Sequence, residues 1–143
     1  TAGKNILLIG GGVGINPLAS IITQIQDYRK NIGGESFRSC LMFSAKTIAE
    51  LLFKDSFDKF AMEDNNFTVQ YFVTSEDKNL KNIGRITKAD VESCLMNNLQ
   101  VRIGTEEANE KTLVYVCGPP PMIEDVQDIL KSLAIENLLL EKW

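Results

Sequence analysis

Histidine is missing altogether from these 143 residues, which removes Ser-His-Asp and Cys-His nucleophile systems together with the commonest metal ligand. Chemistry here must therefore rest on a cofactor, or on backbone and small polar groups. Cysteine is scarce: Cys40, Cys94 and Cys117 form no CxxC pair. Their odd number suits a reducing compartment better than a secreted disulfide framework, and zinc ligation is disfavoured. No apolar run approaches the roughly 20 residues that span a bilayer, and no charged-then-apolar leader opens the chain. The expectation is a soluble intracellular protein without a membrane span. A basic excess is lacking too, with 15 Lys plus Arg against 19 Asp plus Glu and a net charge of -4. Nucleic acid and anionic membrane are therefore not expected partners, although a local positive pocket remains compatible with this balance. The length predicts one domain, and 44% hydrophobic residues suffice for its core.

What is present in abundance near the start is glycine. Asn5-Ile6-Leu7-Leu8-Ile9 has the branched apolar content of a strand buried on both faces, and Gly10, Gly11, Gly12 and Gly14 follow it. A tight reversal after such a strand favours glycine, which takes positive φ without steric cost. Asn16 reads as an N-cap and Pro17 as the first helical residue. Leu18, Ile21, Ile22 and Ile25 then repeat at helical spacing. Such a turn brings free N–H groups and a positive helix end to one point, where a diphosphate would be held. Taken alone, the motif reads equally as an ordinary glycine-rich turn. It departs from the usual dinucleotide fingerprint, because Ile15 stands where the third glycine belongs and Phe43-Ser44-Ala45-Lys46 lacks the ribose-binding acid. Phosphotransfer would need a lysine after the loop, and Asn16-Pro17 stand there.

Further along, Ser39 to Phe43 reads as a second strand. Thr47 to Met62 reads as a helix in two pieces, broken around Lys54 to Ser56, with an aromatic stripe that faces the core. Phe67 to Thr74 has strand bias, and Thr87 with Asp90 resembles a capping box ahead of a short helix marked by Val91, Leu95 and Leu99. Gln100 to Lys111 shows no period and reads as a surface loop. Thr112 to Cys117 is another buried-strand run. It ends in Gly118-Pro119-Pro120-Pro121-Met122, where prolines open a helix with Val126, Ile129, Leu130 and Leu133 on its apolar face. Asn137 to Leu140 is a fifth strand. This alternation predicts an α/β protein, a three-layer α/β/α sandwich around a five-stranded parallel sheet. Ligands of such sheets bind beyond the strand carboxyl ends, where both glycine turns, Ser44 and Ser75 fall.

GGGVGINP at Gly10 to Pro17, LLF at Leu51 to Phe53, GRIT at Gly84 to Thr87 and CGPPPM at Cys117 to Met122 together resemble the nicotinamide-nucleotide-binding domain of the ferredoxin–NADP reductase superfamily, and the resemblance spans the chain. It implies strand order 3-2-1-4-5. It also implies an NADH-dependent flavoprotein reductase: hydride passes from NAD(H) to FAD, and an unidentified electron acceptor reoxidises the flavin. Gly11, Gly12, Val13, Gly14, Ile15, Asn16 and Pro17 would hold the pyrophosphate. Gly118, Pro119, Pro120, Pro121 and Met122 would line the nicotinamide side. Cys117, at the family's position beside the hydride-transfer locus, would position the rings rather than attack anything. On chemistry alone it is a small buried residue closing a strand. Trp143 matches a terminal aromatic that covers the flavin in relatives, and equally a core-covering or tail residue.

The family's flavin domain has no counterpart in residues 1–143, so the resemblance implies such a domain upstream in the same polypeptide and a fragment inactive alone. Where NADP-preferring members place Arg after Ser, Glu76 follows Ser75; a carboxylate repels a 2′-phosphate and accepts from a free 2′-hydroxyl, so NAD is expected. Lys46 and Arg85 oppose that expectation, since either could reach a phosphate. The resemblance points to mitochondria, with the cytoplasm as alternative. A non-catalytic nucleotide-binding or interaction module that keeps the fold is the competing function.

Overall fold

The computed structural model describes residues 5–32, 37–74 and 85–142. Five runs form one sheet: β1 Asn5–Gly11, β2 Ser39–Ala45, β3 Phe67–Val73, β4 Thr112–Gly118 and β5 Leu138–Lys142. All pairings are parallel, in the order β3-β2-β1-β4-β5. The expected fold class and order hold. The chain steps outward from β1 to β3, then returns to lay β4 on the other side of β1. Right-handed crossovers consequently put α1 (Ile15–Ile32) and α2 (Lys54–Glu63) on one face, and α3 (Lys88–Ser93) and α5 (Pro120–Ser132) on the other.

Alternation along each strand feeds both layers. Leu8, Leu41 and Phe43 pack under Leu18, Ile22 and Phe57, while Leu7, Ile9, Val114 and Val116 pack under Val91, Leu95, Ile123 and Val126. Phe57 is 1% exposed and meets Phe43 edge-on at 6.4 Å. Burying such a ring stabilises the fold by roughly 2–3 kcal/mol.

Several local expectations need correcting. The glycine run tightens into a 3-10 turn, Gly12–Gly14, and α1 begins at Ile15. Asn16 is therefore not the N-cap but an exposed residue of the first helical turn, and Pro17 follows it where no intrahelical N–H bond is lost. The break in the second helical stretch lies at Leu51 to Phe53, between a 3-10 turn at Ile48–Glu50 and α2. Phe53 takes φ of 64°, held by its ring contact with Phe57 at 6.1 Å, so Lys54 to Ser56 start α2 instead of interrupting it. Within the expected loop, Glu106–Lys111 form helix α4. The Thr105 side chain accepts from the Ala108 N–H at 3.1 Å, and acids in the first turn with Lys111 in the last suit the helix dipole. Only Ala108 of α4 is buried, so no apolar period announces it.

The Thr87–Asp90 capping box is present, with the Asp90 N–H donating to Thr87 Oγ1 at 3.2 Å and the Thr87 N–H to Asp90 Oδ2 at 2.8 Å. Helix α3 runs on into a π turn, Cys94–Asn98. The spacing predicts no disulfide framework; in the structure the Cys94 sulfur lies against that of Cys40 on β2, 54 residues away, and Cys117 is free.

Candidate functional site

Register brings the carboxyl ends of the central strands to one level: Gly10 lies beside Phe43 and Cys117, and Gly11 beside Ser44. The two glycine tips, ending β1 and β4, are direct neighbours. A Cβ placed on Gly118 would sit only 3.5 Å from the Gly11 nitrogen. Helices α1 and α5 start just past these tips, and the start of α5 lines the same hollow as Gly11 and Gly12.

The hollow is a cleft of about 590 Å³, within the range of small-molecule sites. Gly11, Gly12, Ser44 and Lys46 line it from β1 and β2, and Pro119, Pro121, Met122 and Asp125 from α5; Thr74, Arg85 and Ile86 complete it with Glu50. Gly12 has φ of +57° and open space where a Cβ would point, so its backbone can touch a ligand. Lys46 and Arg85 are balanced by Glu50 and Asp125. The Arg85 guanidinium stands 4.0 Å from the Asp125 carboxylate, both largely exposed, and such a pair contributes little. Side-chain charge is thus neutral overall, so an anion would be held by backbone N–H groups at the Gly12 turn.

Gly11, Gly12, Ser44, Lys46, Pro119 and Met122 line the cleft. Gly14 is buried, and Val13 and Gly14 complete the 3-10 turn. Ile15 is 0% exposed and joins the core beneath α1. Asn16, Pro17 and Pro120 stand at the helix starts without lining the cleft. Gly118 is buried at the tip of β4, in contact with Met122. Cys117 is 0% exposed and belongs to the α1-side core. Its thiol donates to Glu141 Oε2 at 3.6 Å. Burial, and then the Glu141 charge, pushes its pKa up to about 12, which rules out a standing thiolate. Ser75, Glu76 and Trp143 lie outside the described residues. Pro121, within CGPPPM, lines the cleft as expected; sequence reasoning missed Ala45, Glu50, Thr74, Asp125 and Val126, which reach the cleft only through the crossing of strands and helices.

A five-stranded parallel sheet in this order, with a cleft at the point where strand order reverses, is the fold of a ferredoxin reductase-type nucleotide domain. Residues 8–128 match the family model described as oxidoreductase NAD-binding domain, and the chain belongs to that family. It is 35% identical over 151 residues to oxidoreductase NAD-binding domain-containing protein 1 of Danio rerio, covering 97% of this chain and 52% of that protein. It is 30% identical over 136 residues to NADH-cytochrome b5 reductase 1 of Ajellomyces capsulatus, covering 94% and 41%. The cytochrome b5 reductase domain of Ulva prolifera nitrate reductase shares the fold with a TM-score of 0.78 at 20% identity, over 98% of this chain and 49% of that one. The chain thus spans about half the length of the curated relatives it matches. Among the described residues no helix is long and apolar enough to cross a membrane.

Proposed function

We propose that this domain binds NADH and presents its nicotinamide ring to a flavin, FAD, held by a separate domain of the same polypeptide, making the whole protein an NADH-dependent flavoprotein reductase. One observation carries the reading: the tips at Gly11 and Gly118 are neighbours on adjacent strands, and one cleft is lined by Gly11 and Gly12 at the first tip and by Pro119 and Met122 just past the second. The residues fit such a ligand. Backbone N–H groups of the Gly12–Gly14 turn and the first turn of α1 supply donors for the diphosphate, whereas Pro119, Pro120 and Pro121 at the start of α5 have none. Met122, packed over Gly118 where a Cβ would otherwise sit, gives the ring an apolar wall on the cleft side. A bound nicotinamide dinucleotide supplies a transferable hydride. Cys117, behind the tip, acts by packing, and Trp143 is assigned to cover the flavin. Ser75 and Glu76 are assigned to the adenine-side ribose, which makes NAD the preferred dinucleotide.

Calorimetric titration of the purified protein tests this directly. NADH is expected to bind at least tenfold more tightly than NADPH, about 1.4 kcal/mol. Tighter NADPH binding would overturn the assignment of Glu76, and no binding of either would overturn the reading of the cleft.

A further inference from the structure

Gly11 and Gly118 are free of side chains for a reason other than backbone twist. Neither has the positive φ found at Gly12; the space their Cβ atoms would need is taken by the Met122 thioether. A Cβ on Gly118 would lie 2.7 Å from Met122 Cε and 3.2 Å from Sδ, and one on Gly11 would overlap the sulfur itself. Met122 is also partly exposed and lines the cleft. Its thioether is therefore backed by the Gly11 and Gly118 peptides on one side, and the side chain borders the cleft on the other. The other described methionines differ: Met42 is 0% exposed in the core, while Met62 and Met96 are 86% and 56% exposed and do not line the cleft.

We infer that Met122 is an oxidation site that controls nucleotide binding: a peroxide converts its thioether to the sulfoxide, and the modified side chain shuts the anionic ligand out. The sulfur donates an electron pair to one peroxide oxygen and the O–O bond breaks. The new S–O bond gives the sulfoxide, and the other oxygen leaves as water once it takes up the proton. Sulfur is oxidised and peroxide reduced, with no further reactant. The added oxygen has no room on the glycine side, where not even a methyl group fits. It must project into the cleft or drive the side chain there, and its partial negative charge then faces the diphosphate. The inference rests on the nucleotide reading of the cleft.

The test treats the purified protein with hydrogen peroxide, follows each methionine by peptide mass spectrometry and measures NADH affinity on the same samples. Met62 and Met96 are expected to oxidise without effect. Affinity should fall about tenfold in step with Met122 sulfoxide, and saturating NADH should slow Met122 conversion alone. In Met122→Leu, whatever affinity remains should not respond to peroxide. Full Met122 conversion with unchanged affinity overturns the inference, as does Met122 left unoxidised after Met62 and Met96 are complete. Equal peroxide sensitivity in Met122→Leu overturns it too. If the untreated protein binds neither NADH nor NADPH, the reading of the cleft falls, and this inference with it.

Discussion

Replacing Gly118 with alanine separates the fold's need for this glycine from the ligand's. Gly118 has no positive φ, so alanine adds no backbone strain, and the stiffer unfolded chain favours folding by about 0.4–1 kcal/mol. Against this, the new Cβ would lie 2.7 Å from Met122 Cε, too close to stay, but an ordinary 3.5 Å from the Gly11 nitrogen. The offending atom is the end of an unbranched side chain with three rotatable bonds. Met122 therefore moves, at the low end of the overpacking range, about 1 kcal/mol. The two effects nearly cancel, and Tm should shift by no more than about 3 °C. The displaced thioether has one open direction, the cleft it already lines, so NADH affinity should fall about tenfold, about 1.4 kcal/mol. Circular dichroism melts and calorimetric titration of Gly118→Ala, Met122→Ala and the double variant close the cycle. A coupling in affinity of about 1 kcal/mol is expected. A stability loss above about 3 kcal/mol, or an affinity loss undiminished without Met122, would refute the reasoning.

Two further outcomes concern titrating groups. The Tyr71 hydroxyl donates to Asp58 Oδ1 at 2.7 Å, and Lys54 Nζ lies 2.7 Å from Asp58 Oδ2, tying α2 to β3. Burial raises the Asp58 pKa, but hydrogen bonds from Lys54 and Tyr71 and the Lys54 charge outweigh it, and the net direction is downward. A lowered carboxylate stabilises above its unfolded value of about 4 and loses that contribution as pH falls through the folded one. Tyr71→Phe should cost about 1 kcal/mol in urea unfolding at neutral pH and less in acid; an equal loss at both would count against the assignment. For Cys117, pushed up to about 12, the sign is opposite. Its contribution is complete below the unfolded thiol value of about 8.5 and fades as pH rises toward the folded one. Cys117→Ala should flatten the alkaline decline in urea stability, and a thiol reagent that labels folded wild-type protein as fast as unfolded would refute its burial.

The sheet was legible because parallel strands buried on both faces are continuous apolar runs, and Leu7 to Ile9 or Val114 to Cys117 admit few other readings. The capping box at Thr87 and the proline start of α5 were legible because both are local chemistry. What escaped depends on contacts distant in sequence or on balances too small for pattern. Helix α4 is held by a threonine cap and charge placement, not by an apolar face. The left-handed Phe53 depends on its ring meeting Phe57, and Cys40 and Cys94 meet only once β2 and the π turn are stacked. In the site, the motifs located both tips of the cleft. Its charged wall, Glu50 with Asp125, comes from two helical elements that no spacing relates.

Alternation along β4 gives the adjacent Cys117 and Gly118 different surroundings. The Cys117 side chain enters the core under α1 with Ile15 and Leu18. At the next residue the missing Cβ of Gly118 leaves a gap toward α5, filled by Met122, which packs against the opposite core. Of the two sulfurs at this tip, the thiol is thus sealed and held protonated, while the thioether meets the cleft. A residue in the position of Cys117 can influence a ligand only by setting the backbone at Gly118, through its size and its bond to Glu141. Serine at position 117 keeps the size nearly unchanged but puts a stronger polar group into an apolar core, at a cost of about 1–3 kcal/mol. Stability should therefore respond to Cys117→Ser more than to Cys117→Ala, the reverse of the order expected if a hydrogen-bonding group at this position touched the ligand.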